Sequence, residues 1–378
     1  MLYYLHLLTE WFSPLRIFQY ITVRVFAAAG TAFILSLLIG PLVIRHLRRL
    51  KIGQHVRKED LPALYELHGK KEGTPTMGGV IIVLAAALAT LLWAIPTNGF
   101  VLLALATFVV MGALGFYDDW LKIARKQSKG LGARQKLVVQ TLWAAFVVII
   151  LLNWDVTAEL SRQLMIPFLK DPFITNMSGV AVVLFTLLVL VGCTNAVNLT
   201  DGLDGLAVGC ANSAVAAYLA MTYVAGHFVF AGYLQVPYVP DSGELSVFCG
   251  ALLGAGLGFL WFNCYPAKVF MGDTGSLALG GAIAMVAILI NQELTLLFVG
   301  GVFAAEAMSV LIQVASYKMT GKRVFKCAPI HHHFELAAKE RAEKAGRPVG
   351  PVEATITIRL WIVSIIFALI GVATLKIR

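Results

Sequence analysis

Charge is what this sequence has least of. Only 13% of its 378 residues are Asp, Glu, Lys or Arg, where soluble domains carry about a quarter. Hydrophobic residues make up 59%, and the mean hydropathy is +0.80. These values exclude a disordered chain, a coiled coil, a collagen-like repeat and an ordinary soluble enzyme. No repeat of about 20–50 residues occurs, which excludes a solenoid. The five cysteines, Cys193, Cys210, Cys249, Cys264 and Cys327, show no C-x-x-C spacing. They read as small apolar residues rather than metal ligands or disulfides. No G-x-x-x-x-G-K-[ST] segment is present, so the chain is not a P-loop ATPase. Residues 1–19 carry Glu10, Pro14 and Arg16 and lack an A-x-A site, so they do not read as a cleavable signal.

What is present is a series of long apolar runs. A membrane helix needs about 20 such residues. Ten runs qualify: about 20–43, 76–96, 100–120, 136–153, 178–197, 205–225, 246–262, 275–291, 294–315 and 356–375. None alternates like a barrel strand. The expectation is an all-α polytopic membrane protein, a single domain over 1–378. Residues 1–19 form an outer segment, and the inner connections fall at about 44–75, 121–135, 198–204, 263–274 and 316–355. Gly250, Gly254 and Gly258 form a small-residue stripe suited to helix packing.

Where the few charges sit is informative. With ten spans, both termini and the even-numbered connections share one side. That side holds six of the 30 Lys and Arg residues: Arg16, Arg24, Arg162, Lys170, Lys376 and Arg378. The other 24 crowd the opposite side. The positive-inside rule makes the basic side cytoplasmic and both termini periplasmic.

Five carboxylates are expected at cytoplasmic span ends. Asp118 and Asp119 lie in GFYDDWLK, Asp201 and Asp204 in NAVNLTDGLDG, and Asp273 in FMGDTGS. Adjacent like charges repel unless a cation or a shared proton joins them. Oxygen-only ligands favour Mg²⁺ or Mn²⁺ over Zn²⁺. Asn195, Asn198, Asp201 and Asp204 recur every third residue. They form one polar stripe if the helix continues, whereas Gly202 and Gly205 argue for a helix end. Either way they make a wall suited to a sugar or a base. The small residues of FMGDTGS at the start of a span suit an anion. In HGKKEGTPTMGG, Lys70 and Lys71 offer point charges for phosphate. APIHHHFE supplies His331, His332 and His333, which suit hydrogen bonding to phosphate or sugar better than a zinc site. Glu306 and Gln313 share a helix face inside the ninth run, and an intramembrane Glu is either functional or a buried structural partner. The inventory fits phosphoryl or phosphosugar transfer between a soluble anion and a lipid.

Together these five segments closely resemble the phospho-N-acetylmuramoyl-pentapeptide transferases. They are a branch of the polyprenyl-phosphate N-acetylhexosamine-1-phosphate transferases. The resemblance runs from about residue 20 to the C-terminus, and TPTMGG and PIHHHFE point to the muramoyl-pentapeptide branch. It implies ten transmembrane helices, a cytoplasmic active-site cleft, a homodimer in the bacterial inner membrane and a Mg²⁺ cofactor. The implied substrates are UDP-MurNAc-pentapeptide and undecaprenyl phosphate, and the products are lipid I and UMP. No nucleic-acid partner is expected. By the same resemblance Asp273 carries the metal, with Asp118 and Asp119 as further ligands or as the groups that orient the lipid phosphate. Asn198, Asp201, Gly202, Leu203, Asp204 and Phe270 form the uridine pocket. Lys71, Thr76, Lys122, Asn263, Ser276 and Gln313 contact substrate, and His332 and His333 join the catalytic set. Two other readings stay open: a sister enzyme transferring GlcNAc-1-phosphate to the same lipid, and a transporter.

Overall fold

The computed structural model describes residues 1–49, 73–125, 130–346 and 351–377. Regular structure among these residues is helical, apart from isolated bridge residues such as the antiparallel pair Leu164 and Ile174. We number the long helices α1 (Ile21–Arg49), α2 (Gly79–Trp93), α3 (Gly99–Ala124), α4 (Ala133–Asn153), α5 (Gly179–Thr200) and α6 (Leu206–Ala225). They continue as α7 (Leu245–Asn263), α8 (Gly272–Leu289), α9 (Gly301–Thr320), α10 (Ile330–Lys344) and α11 (Val352–Ala373). Nine of the ten apolar runs each fall on one of these helices, and the ninth in chain order is split. Eight are long and apolar enough to cross a membrane. The exceptions are α2 and α9. The 15 residues of α2 rise about 22 Å, less than the roughly 30 Å hydrocarbon core. The ninth run is broken at Gly300 into a short turn, Leu296–Val299, and α9.

The largest departure from expectation is α10. It lies inside the segment 316–355, which reads as a connection on hydropathy. Its 15 residues, IHHHFELAAKERAEK, are rich in Ala, Glu, Lys and Arg, the strong helix formers. Pro329 precedes the first turn and Gly346 follows the last with φ +59°, the usual punctuation of a helix. A polar helix is invisible to a search for apolar runs. Other connections are shorter than expected: α1 runs on to Arg49, α3 to Ala124 and α5 to Thr200, while α8 begins at Gly272.

The bundle centres on α8, whose residues from Thr274 to Leu289 are all buried. Close approach is possible because the contact points lack side chains. A Cβ at Gly79 of α2 would strike the Gly275 backbone of α8, and one at Gly115 of α3 would strike the Asp273 carbonyl. The stripe Gly250, Gly254 and Gly258 lies against the α1 backbone, at the carbonyls of Val25, Ala29 and Phe33. Helix packing therefore accounts for that stripe.

At the opposite end from the carboxylates, Arg24 and Glu244 form a buried two-pronged ion pair, with Nη1 to Oε2 at 2.6 Å. The same carboxylate accepts the Ile95 N–H at 3.1 Å. The guanidinium also lies 4.9 Å from the Tyr3 ring centroid, which docks the N-terminal segment. Removing one partner of such a pair strands a buried charge at a cost of about 3–5 kcal/mol. Glu244→Ala is therefore expected to lower the thermal midpoint in detergent, and Arg24→Met with Glu244→Leu to recover much of the loss. Thermal unfolding of the single and double variants checks this.

Candidate active site

Two helices deliver three acids to one end of the bundle. Asp118 and Asp119 come from the last turns of α3, and Asp273 from the first turn of α8. One oxygen from each of the three lies within 4.8 Å of the others, a spacing able to hold a metal ion. Asp118 and Asp119 are buried, at 0% and 2% exposure. Uncompensated carboxylates so placed would repel strongly. Two lysines answer them. Lys122, one turn beyond on α3, reaches Asp118 at 2.6 Å and both Asp119 and Asp273 at 3.2 Å. Lys136, in the first turn of α4, reaches Asp118 at 3.0 Å and also bonds Asp273.

Neutral donors complete the frame. Asp119 Oδ2 accepts the Thr274 N–H at 3.0 Å and its hydroxyl at 2.9 Å. Asp118 Oδ1 accepts the Leu131 N–H at 2.6 Å. Asn198 donates through Nδ2 to Asp273 Oδ1 at 2.9 Å and to Ser276 Oγ at 2.8 Å. Gly272 has φ +72°, and a Cβ there would press on Asp119 Oδ2 and Thr76 Oγ1. Asp119 and Thr76 thus meet across a position that only glycine fills without strain.

The polar wall begins where α5 stops. Asp201 caps its C-terminus, so the three-residue recurrence of Asn and Asp resolves as a helix end. Burial, then the carboxylates of Asp273 and Asp119, push Asp201 up to about 8. Leu203 and Asp204 turn inward and are buried. Asp204 Oδ2 accepts the Ala267 N–H at 3.0 Å. The Asp204 N–H donates to Glu353 of α11 at 2.8 Å. Asn263 accepts the Gly205 N–H at 3.1 Å and donates to the Val269 carbonyl at 2.9 Å. Asp204 and Asn263 are therefore braces between the wall and the segment 264–271. That segment is zipped to the chain before α2. The Phe270 N–H donates to the Pro75 carbonyl and the Gly78 N–H to the Phe270 carbonyl, both at 2.8 Å. Phe270 stays half-buried beside Gly272 and Thr76.

The remaining expected residues lie farther round. Gln313 of α9 accepts the Val324 and Phe325 N–H groups at 3.0 and 2.9 Å and donates to the Phe325 carbonyl at 3.0 Å. It brackets the α9–α10 connection. Successive residues on a helix point about 100° apart, so the three histidines diverge. His331 is buried against Glu306, His332 pairs with Glu335 at 2.8 Å, and His333 accepts the Lys326 N–H at 3.1 Å. Lys71 lies outside the described residues. Lys136 and Glu353 are the residues that sequence reasoning passed over, and His331 was read only as one of three like histidines. Only Lys136 had a usable signal, a lone base opening an apolar run on the basic side.

Residues 101–291 match the family described as glycosyl transferase family 4. Residues 71–83 match phospho-N-acetylmuramoyl-pentapeptide-transferase signature 1. The chain is 48% identical over 379 residues, covering 100% of both chains, to a phospho-N-acetylmuramoyl-pentapeptide-transferase of Methylacidiphilum infernorum. It is 48% identical over 380 residues to the Koribacter versatilis protein of that name, covering 97% of this chain and 96% of the other. To the Desulfatibacillum aliphaticivorans protein it is 49% identical over 380 residues, covering 99% of each.

Two outcomes are expected from this geometry. Gly272→Ala adds about 1–2 kcal/mol of left-handed strain and displaces Asp119. It should weaken Mn²⁺ binding, read by electron paramagnetic resonance, by about tenfold or more. Asp201 binds its proton more tightly folded than its ordinary value of 3.8 allows in the unfolded chain. Its contribution is then full below about pH 4 and lost as the pH rises through about 8. The metal-free thermal midpoint should fall over that window, and Asp201→Asn should flatten the fall.

Proposed function

The chain belongs to the phospho-N-acetylmuramoyl-pentapeptide-transferase family, and on that footing we propose that it transfers phospho-MurNAc-pentapeptide from UDP-MurNAc-pentapeptide to undecaprenyl phosphate, giving lipid I and UMP. One observation carries the reading at the level of chemistry. Asp118, Asp119, Asp273, Lys122 and Lys136 converge at a single end of an apolar helical bundle. A soluble anionic donor and a membrane-embedded acceptor can meet only at such a surface. A transporter places its polar residues near the midplane instead.

The donor set fits a divalent cation. The three carboxylates supply only oxygen ligands, as Mg²⁺ prefers, and Asp273 with Asp118 or Asp119 would hold it. Bound there, Mg²⁺ supplies charge neutralisation for a pyrophosphate. The protein's own groups carry the rest of the reading. Lys122 and Lys136 place two ammonium groups where phosphate oxygens need donors. Asn198 ties one Asp273 oxygen down, which leaves the other to face the cluster. Asp118 orients or deprotonates the lipid phosphate. Its oxygen attacks the β-phosphorus of the nucleotide sugar, a P–O bond forms, and UMP departs with the bridging oxygen. Catalysis of this kind is largely positioning and electrostatics.

Asn198, Asp201, Gly202, Leu203, Asp204 and Phe270 form the proposed uridine pocket. Lys71, Thr76, Asn263, Ser276, Gln313, His332 and His333 complete the proposed substrate contacts. The same reading has ten spans, periplasmic termini, a cytoplasmic cleft in the inner membrane and a homodimer. The 24 bases on one side against six on the other support that orientation.

Membranes carrying the protein, supplied with both substrates and Mg²⁺, should release UMP and form lipid I. UDP-GlcNAc offered alongside should not be consumed. Asp273→Asn should lose turnover by about a thousandfold, the scale of a lost transition-state electrostatic contact, with membrane insertion unchanged. Direct attack also predicts that no phospho-MurNAc-pentapeptide adduct accumulates on the enzyme without lipid. Mass spectrometry of the intact protein decides this, and an adduct on one of the aspartates sinks the direct route.

A further inference from the structure

Glu306 and His331 lie outside both the carboxylate–lysine cluster and the proposed substrate contacts, yet both are fully buried, at 0% exposure. Glu306 sits in α9 and His331 in the first turn of α10. Glu306 Oε2 lies 3.0 Å from His331 Nδ1 and accepts the His331 backbone N–H at 3.4 Å. One carboxylate thus anchors both the ring and the start of the helix that carries it. A carboxylate on Nδ1 takes up its N–H and fixes the tautomer, so Nε2 is the ring's remaining polar atom. Among the described residues Nε2 has no hydrogen-bond partner. It points at Gly202, where an added Cβ would collide with Nε2 and lie 2.9 Å from Cε1. Gly202 is the exposed residue between Asp201 and Leu203, in the turn that connects α5 to α6.

A structural histidine has no need of a buried carboxylate to choose its tautomer, nor of an unpartnered nitrogen. The arrangement has the form of an orienter, an imidazole and a backbone turn held at one height. We propose that Glu306 is a positioning residue for nucleotide binding: through His331 it braces the Gly202 turn, and so sets the wall on which the uridine moiety of the donor lies. The inference deepens the proposed function and rests on its assignment of residues 201–204 to the donor nucleotide. The brace acts on the donor side, because His331 meets the wall at Gly202, whereas the α3–α8 carboxylates are held by Lys122 and Lys136.

The test uses the full-length protein in detergent with UDP-MurNAc-pentapeptide and undecaprenyl phosphate. Glu306→Gln keeps the shape and one acceptor oxygen but removes the carboxylate's charge, which weakens its hold on the His331 Nδ1–H and backbone N–H. It should raise the KM and the Kd for UDP-MurNAc-pentapeptide by about tenfold, with the KM for undecaprenyl phosphate unchanged. Gly202→Ala should do the same in the native background, where the methyl meets Nε2. It should cost little more once His331→Ala has removed the obstacle, the non-additive cycle expected of residues in contact. If Glu306→Gln does not purify as a folded protein, the Gly202–His331 cycle decides alone. Equal rises in both KM values, additive Gly202 and His331 effects, or a fall in kcat at unchanged KM would each overturn the brace. Absence of lipid I synthesis by the wild type would instead defeat the proposed function, and the Kd measurements would still judge the brace.

Discussion

Everything at the polar end of this molecule follows from one electrostatic constraint, the crowding of three carboxylates into a site closed on most sides by apolar helices. Charges of one sign at such separations cost several kcal/mol even at an effective dielectric of about 20. The cost is offset locally. Lys122 bridges all three acids and Lys136 bridges Asp118 and Asp273, and Thr274, Leu131 and Asn198 donate to the oxygens that remain. Five charged groups and three donors thereby form one unit. No member of it can be altered without changing the balance seen by the rest.

That unit exists only because backbones approach closely. Gly115 lets α3 reach the Asp273 carbonyl, Gly79 lets α2 lie on α8, and Gly272 gives Asp119 room. In a bilayer, helices gain no hydrophobic stabilisation from leaving lipid, and small residues at crossings carry the packing instead. The abundance of glycine, 34 residues, belongs to this requirement. The polar site and the apolar scaffold are one design, in which the scaffold's smallest residues set the separation of the site's charges.

The helices and the acids were readable from the sequence because they rest on local signals. A run of 20 apolar residues announces a span, and a carboxylate at its end stands out against so sparse a background of charge. What escaped notice rests on tertiary partners. Lys136 reads as one of many loop bases until α4 sets it beside Asp118 and Asp273. His331 is indistinguishable from His332 and His333 until α10 forms and turns the three apart. Glu353 gains meaning only when its carboxylate meets the Asp204 N–H, 149 residues away in the chain. The helix α10 was hidden for a related reason. Its evidence lies in helix propensity and punctuation rather than in hydropathy.

The placement of the buried acids separates two uses of the same chemistry. Glu244, at the end away from the cluster, is matched by a two-pronged bond from Arg24 and a backbone N–H, an arrangement that occupies both carboxylate oxygens. Asp118 and Asp273 share two ammonium groups on long stems, which can be exchanged for another cation or turned to an incoming anion. A guanidinium pair is geometrically committed, whereas a lysine ammonium is a point charge on a flexible chain. The choice of arginine at the structural end and lysine at the polar end therefore follows the demands on each. One holds the bundle shut, and the other keeps its charges balanced while leaving them free to rearrange.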